Sequence, residues 1–153
     1  MPALEHKIPP PAVAALVAVG MWSVAGFGPQ LTITPAVTNA AVAVLVVTGL
    51  AFAALGILAF RASRTTVDPL HPERASALVT GGIYRITRNP MYVGMAFVLL
   101  AWAVYLHAVL PFVGIGVFVF YITRFQIQPE EGVLSRRFPG MYAAFCERTW
   151  RWI

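Results

Sequence analysis

Gly81-Gly82-Ile83-Tyr84-Arg85-Ile86-Thr87-Arg88-Asn89-Pro90-Met91-Tyr92-Val93-Gly94 sets two arginines, an asparagine and two tyrosines against the start of a long apolar run. Polar side chains at the mouth of a membrane helix are expensive to keep there, so their presence suggests a site. The Asn-Pro step also locates the start of the helix. Asn89 is driven into extended backbone by the proline after it, and Pro90 suits a first helical turn.

Working outward, the 153 residues form one domain, 59% hydrophobic and 11% charged. A soluble globule would carry about a quarter charged residues. The surplus apolar surface needs a lipid solvent, and the chain reads as an all-α, polytopic integral membrane protein. Apolar segments at residues 12–27, 36–60, 91–106 and 108–122 give about four transmembrane helices. Both termini then fall on one side, together with a loop over residues 61–89 and a tail over residues 126–153. Every Lys, Arg, Asp and Glu lies on that side. Only the short link at residues 28–35 and the region of His107 lie opposite. The positive-inside rule makes the charged face cytoplasmic. The net charge of +5 therefore sets topology and favours anionic headgroups, not a nucleic-acid partner. The bilayer is the expected partner, and nothing in the sequence fixes an oligomeric state.

The spans differ. Residues 36–60 exceed the ~20 needed to cross hydrocarbon. Residues 12–27 are short and contain Gly20 and Gly26, which suits a tilt or kink. The last two spans meet near His107 and Pro111 with almost no loop, as a tight antiparallel hairpin. Pro9-Pro10-Pro11 precedes the first span and no cleavage site follows it, so that span does not read as a cleaved signal. Cys146 is the sole cysteine, and His6, His71 and His107 show no ligand spacing. No disulfide framework, metal site or prenylation box is expected.

The loop contains Asp68-Pro69-Leu70-His71-Pro72, a rigid extended or turning stretch, and then the Gly81-Gly82 turn. In the tail, Val133, Leu134, Phe138, Met141, Tyr142 and Phe145 recur at helical steps, interrupted at Pro139-Gly140. Such an amphipathic cytoplasmic helix either lies along the headgroups or closes as a lid over the loop.

Several residues each have two readings. Glu130 and Glu131 follow Pro129, the expected first position of the tail helix. There they either stabilise the helix dipole or hold a hydroxyl pair or cation. Neighbouring helical positions point about 100° apart, so one of the two is expected to face a pocket. Asn89 either caps the third span or reads an adenine edge. Arg85 and Arg88 either anchor in headgroups or grip a carboxylate. Tyr84 and Tyr92 belong to an interfacial belt or present ring faces to a ligand cation. Trp150 and Trp152, with Arg148 and Arg151, read as an interfacial anchor. No glycine-rich dinucleotide motif or phosphate loop is present, which excludes a soluble-type nucleotide domain.

Gly82-Ile83-Tyr84-Arg85, then Thr87-Arg88-Asn89-Pro90-Met91-Tyr92-Val93-Gly94, then Pro129-Glu130-Glu131, Phe138, Tyr142 and Arg151-Trp152 together resemble the isoprenylcysteine carboxyl methyltransferase family. Its small bacterial members and the phospholipid methyltransferases are similar. The resemblance covers roughly the last half of the chain. It implies a membrane methyltransferase using S-adenosylmethionine, bound in a cytoplasm-facing pocket. Carried over by motif, Tyr84, Arg88, Asn89, Tyr92, Glu130, Glu131 and Tyr142 would bind the cofactor. Arg88 and Glu131 would serve the chemistry by orienting or deprotonating the acceptor. Many members have His where this chain has Asn89. The acceptor would be small or lipophilic, bearing a carboxylate, thiol or amine. Two alternatives stand beside this reading: an NADPH-dependent membrane reductase of related fold, and a non-catalytic membrane scaffold.

Overall fold

The structure, a computed structural model, describes residues 8–63 and 78–153. His6, His71 and the Asp68–Pro72 turn lie outside the described residues.

Prolines start the helices. Pro10, Pro35 and Pro90 each occupy the first turn of α1 (Pro10–Val24), α2 (Pro35–Ala62) and α3 (Pro90–Tyr105). The missing N–H costs nothing there. A short 3-10 helix, Gly82–Arg85, precedes α3. It begins on Gly82 at φ +61°, a left-handed backbone that glycine adopts without strain. After α3 come α4 (Phe112–Ile122), a π-helical turn at Thr123–Ile127, α5 (Gln128–Arg137) and α6 (Pro139–Arg148). The described residues are helical, with no strand beyond two isolated bridges.

α2 is the one helix among the described residues long and apolar enough to cross a membrane, at 28 residues. α1 and α3 are apolar but shorter, at 15 and 16 residues. α4 itself has 11 residues. It does not stop where the sequence suggested. The tail was expected to begin a new helix at Pro129, but α4 passes through the π turn into α5 without a break. Pro129 is the physical reason for the turn. It has no N–H to offer the Phe125 carbonyl, and its ring crowds that oxygen. The N–H of Gln128 instead reaches five residues back to the Thr123 carbonyl.

α3 packs most extensively on α2. Gly49 and Gly94 face each other so closely that a Cβ on Gly49 would lie 2.7 Å from the Gly94 carbonyl oxygen. Small residues let backbones approach where lipid offers no hydrophobic drive. α1 lies against α4 and α3, and the Trp102 indole donates to the Ala18 carbonyl at 3.0 Å. Val13, Met21, Leu99, Ala103, Phe118, Ile122 and Ile127 fill the shared core. At the far end the two links are tied together: Leu31 N–H donates to His107 O at 2.7 Å and Val109 N–H to Pro29 O at 3.1 Å.

The tail folds over the segment before α3. Leu134, Phe138, Tyr142 and Phe145 pack with Val79, Tyr84 and Phe60 in a second cluster. Phe60 and Tyr84 meet edge to face at 5.5 Å. This is the lid-like alternative. Met141 departs from the expected stripe and is 62% exposed, because Phe138 at φ −131° breaks the helix and reorients α6.

Candidate functional site

The last residues of the chain are stitched to the segment that opens α3. Arg88 N–H donates to the Trp150 carbonyl at 2.9 Å, and Thr87 and Trp150 form a parallel bridge. The Arg151 carbonyl accepts from Asn89 Nδ2 at 2.8 Å and from Thr87 Oγ1 at 3.3 Å. Thr87 Oγ1 in turn accepts from the Asn89 N–H at 3.1 Å. Asn89 therefore occupies the cap position of α3 without making a side-chain cap bond. Its amide N–H is committed to the tail instead. That replaces the capping role and engages one of the two N–H donors of the amide.

Glu131 sits between two arginines. Arg151 Nε and Nη2 grip its two oxygens at 3.0 and 2.8 Å, and Arg88 Nη2 lies 3.6 Å from Oε1. Arg88 Nη1 also contacts the Cys146 sulfur. Arg88 Nε is buried and has no hydrogen-bond partner. Arg85, by contrast, is exposed.

Glu130 accepts a hydrogen bond from the Tyr92 hydroxyl at 2.8 Å on Oε1. Removal from water pushes its carboxyl up to about 8, the Glu131 charge adds to that rise, and the Tyr92 bond opposes it. Both acids thus reach into the cluster, where one was expected to turn away. The two directions, about 100° apart on the helix, meet different partners: α3 for Glu130 and the tail for Glu131. Tyr84 is held well above the ordinary phenol value by burial and by the Glu130 charge. Tyr142 is raised by burial, then by Glu131 and Cys146. Tyr84, Arg88, Asn89, Tyr92, Glu130, Glu131 and Tyr142 are brought into one neighbourhood. Arg151 and Cys146 join them in roles that the sequence did not suggest. For Arg151 the motif position was visible, but not its fork onto Glu131.

A cavity of about 610 Å³ runs between α1, α2 and α3, with an apolar lining that includes Val46, Ala53, Met95, Leu99 and Trp102. On α3, Met95, Leu99 and Trp102 continue the three- and four-residue steps that start at Tyr92. Tyr92 of the polar cluster therefore lies on the same face of α3 as three residues of the cavity lining.

A family model for phospholipid methyltransferases matches residues 37–140, more than half of the chain. The chain belongs to the phospholipid methyltransferase family. An uncharacterized protein of Haemophilus influenzae is 33% identical over 63 residues, 41% of this chain and the whole of that protein. No solved structure matches. Phospholipid methyltransferases are membrane-embedded enzymes that transfer methyl groups. The matched region runs from α2 through α5 and so contains Tyr84, Arg88, Asn89, Tyr92, Glu130 and Glu131. Tyr142, Cys146 and Arg151 lie beyond it.

Proposed function

We propose that this member of the phospholipid methyltransferase family takes its methyl group from S-adenosylmethionine and delivers it to a lipophilic acceptor. α1 to α4 would cross the membrane with both termini cytoplasmic, and the charge asymmetry of the chain supports that topology. α1 and α3 are short for a perpendicular crossing, which local thinning and flanking residues accommodate. The resemblance to isoprenylcysteine carboxyl methyltransferases extends the reading to the residues at the cofactor.

The observation that carries the proposal is the Arg88–Glu131 centre, with a buried guanidinium Nε left without a partner. A buried donor left unmade is costly, and a carboxylate-bearing ligand satisfies it. The donor set fits the cofactor in kind: arginine for its carboxylate, acids for its ribose diol or ammonium, and tyrosine faces for its sulfonium. Bound there, the cofactor supplies an electrophilic methyl group. The chain's residues supply position and electrostatics, which is what an in-line displacement needs. Arg88 holds the anionic end, and Glu131 sets the reach of Arg88 and Arg151. Tyr84 and Tyr142 close the apolar side under the tail. The acceptor's hydrocarbon lies in the groove along α3, entering from the bilayer and ending at Tyr92.

Ligand-dependent melting of the purified protein in detergent tests the reading. S-adenosylhomocysteine raises the melting temperature and NADPH does not. Stabilisation by NADPH alone would favour a reductase, and no shift with either would favour a scaffold.

A further inference from the structure

The π turn at Thr123–Ile127 does more than carry the helix past Pro129. It changes which residues face inward. Phe118 and Ile122 are fully buried on the inner face of α4. In an unbroken α-helix, Ile127 would point about 140° away from Ile122, at about 100° per residue. Yet Ile127 is only 1% exposed and belongs to the same core cluster as Ile122 and Tyr92. The turn therefore holds one residue more than an α-helical turn, in keeping with the bond from the Gln128 N–H to the Thr123 carbonyl. Every position after it is rephased by one residue. The acids show what that shift does. Continued as plain α-helix from Ile122, Pro129 would lie about 20° off the inward direction, Glu130 about 80° off, and Glu131 on the opposite side. Instead Glu130 meets the Tyr92 hydroxyl at 2.8 Å. Glu131 takes the direction one step round and meets the Arg151 fork. Two side chains also tie the turn to the ends of the chain. Gln126 Nε2 donates to the Ile8 carbonyl at 2.9 Å, and the Trp152 indole donates to Thr123 Oγ1 at 3.1 Å.

We propose that Pro129 is a positioning residue: by imposing the extra residue on the turn, it sets the rotational phase that delivers Glu130 to Tyr92 and Glu131 to Arg151. The inference rests on the methyltransferase reading for its catalytic meaning, while the phase itself depends on no ligand. An α-helical path would bring the proline ring against the Phe125 carbonyl. Without the ring, the helix relaxes to α geometry and each direction passes to the preceding residue. Position 129 then faces Tyr92, Glu130 faces Arg151, and Glu131 is turned away. A site must hold its groups within about 10–20° of the productive geometry. A rotation of about 100° takes the acids far outside that tolerance.

The test reads the phase on the whole protein in detergent, first without ligand and then with it. Without ligand, the wild-type melting temperature falls as pH rises toward about 8, because buried Glu130 holds a proton that the unfolded chain releases. Pro129→Ala flattens that slope and weakens S-adenosylhomocysteine binding about tenfold or more. Two further variants restore both. Pro129→Glu places a carboxyl opposite Tyr92 in the relaxed helix, with Glu130 opposite Arg151. Pro129→Ala with Gln128 deleted removes the extra residue and returns both acids to their wild-type directions. Neither variant restores the ring, so a merely structural role for the proline would leave both as impaired as Pro129→Ala. Wild-type slope and affinity in Pro129→Ala would overturn the proposal and assign the turn to the Gln126–Ile8 and Trp152–Thr123 bonds instead. A flat slope in both rescue variants would overturn it too. If the slopes follow the expected pattern but no form binds S-adenosylhomocysteine, the phase stands and the methyltransferase reading falls.

Discussion

Arg151 and Glu131 form a two-pronged pair across twenty residues of chain, Nε to Oε1 at 3.0 Å and Nη2 to Oε2 at 2.8 Å. The backbone carbonyl of the same arginine accepts from Asn89 and Thr87. One residue thus ties the end of the tail to α5 through its side chain and to the mouth of α3 through its main chain. Arg151 is 39% exposed, so the pair is worth about 1 kcal/mol after solvent screening. Arg151→Ala should lower the melting temperature slightly and speed tryptic cleavage after Arg148, read on a gel. Unchanged cleavage would mean that the fork does not fasten the tail.

Glu131→Gln and Arg88→Ala should each weaken S-adenosylhomocysteine binding by about tenfold or more, as expected for loss of a charge-assisted bond of about 1.5–3 kcal/mol. Membrane insertion should be intact in both. Equilibrium dialysis with labelled ligand checks the first point, and carbonate extraction of membranes checks the second.

Glu130 makes stability depend on pH in a stated direction. Its folded value, about 8, lies above the ordinary 4.5, so across that window the folded protein holds a proton that the unfolded chain has released. Stability is therefore complete below about 4.5, falls as pH rises, and has lost this contribution once pH passes about 8. Melting curves from pH 5 to 9 should slope downward for the wild type. The slope should flatten in Glu130→Gln, which cannot titrate.

Gly49 and Gly94 should be the least replaceable positions between α2 and α3. A Cβ on Gly94 would meet the Gly49 carbonyl oxygen at 2.5 Å, and backbone cannot step aside as a side chain can. Gly94→Ala should cost about 1–3 kcal/mol, seen as a lower melting temperature in detergent. Gly116→Ala, where nothing lies within 4 Å, is the control and should be silent.

Much of this site was readable beforehand because its parts are local. The Asn-Pro step predicted the start of α3, and the α3 boundary falls at Pro90. Glu130 and Glu131 stood out as an acidic pair in a basic chain. The pairing of these parts was not readable, because it is set by contacts 20 to 62 residues apart. Asn89 shows the limit well. Its residue type and position both suit a cap, yet a carbonyl from the far end of the chain takes its amide. The continuity of α4 into α5 was hidden for another reason. A proline in a polar stretch normally signals an interruption, and here the helix absorbs it by widening for one turn.

That widened turn has a mechanical consequence. From Phe112 to Arg137 the chain is one uninterrupted rod, its apolar half followed directly by the half that bears Glu130 and Glu131. On the proposed topology, no break in the helix separates the membrane-crossing part from the part that carries the charges. The depth of the carboxylates would then be geared to the thickness of the host bilayer. Changing the acyl length of the surrounding lipids would raise or lower them relative to Tyr92 and the tail.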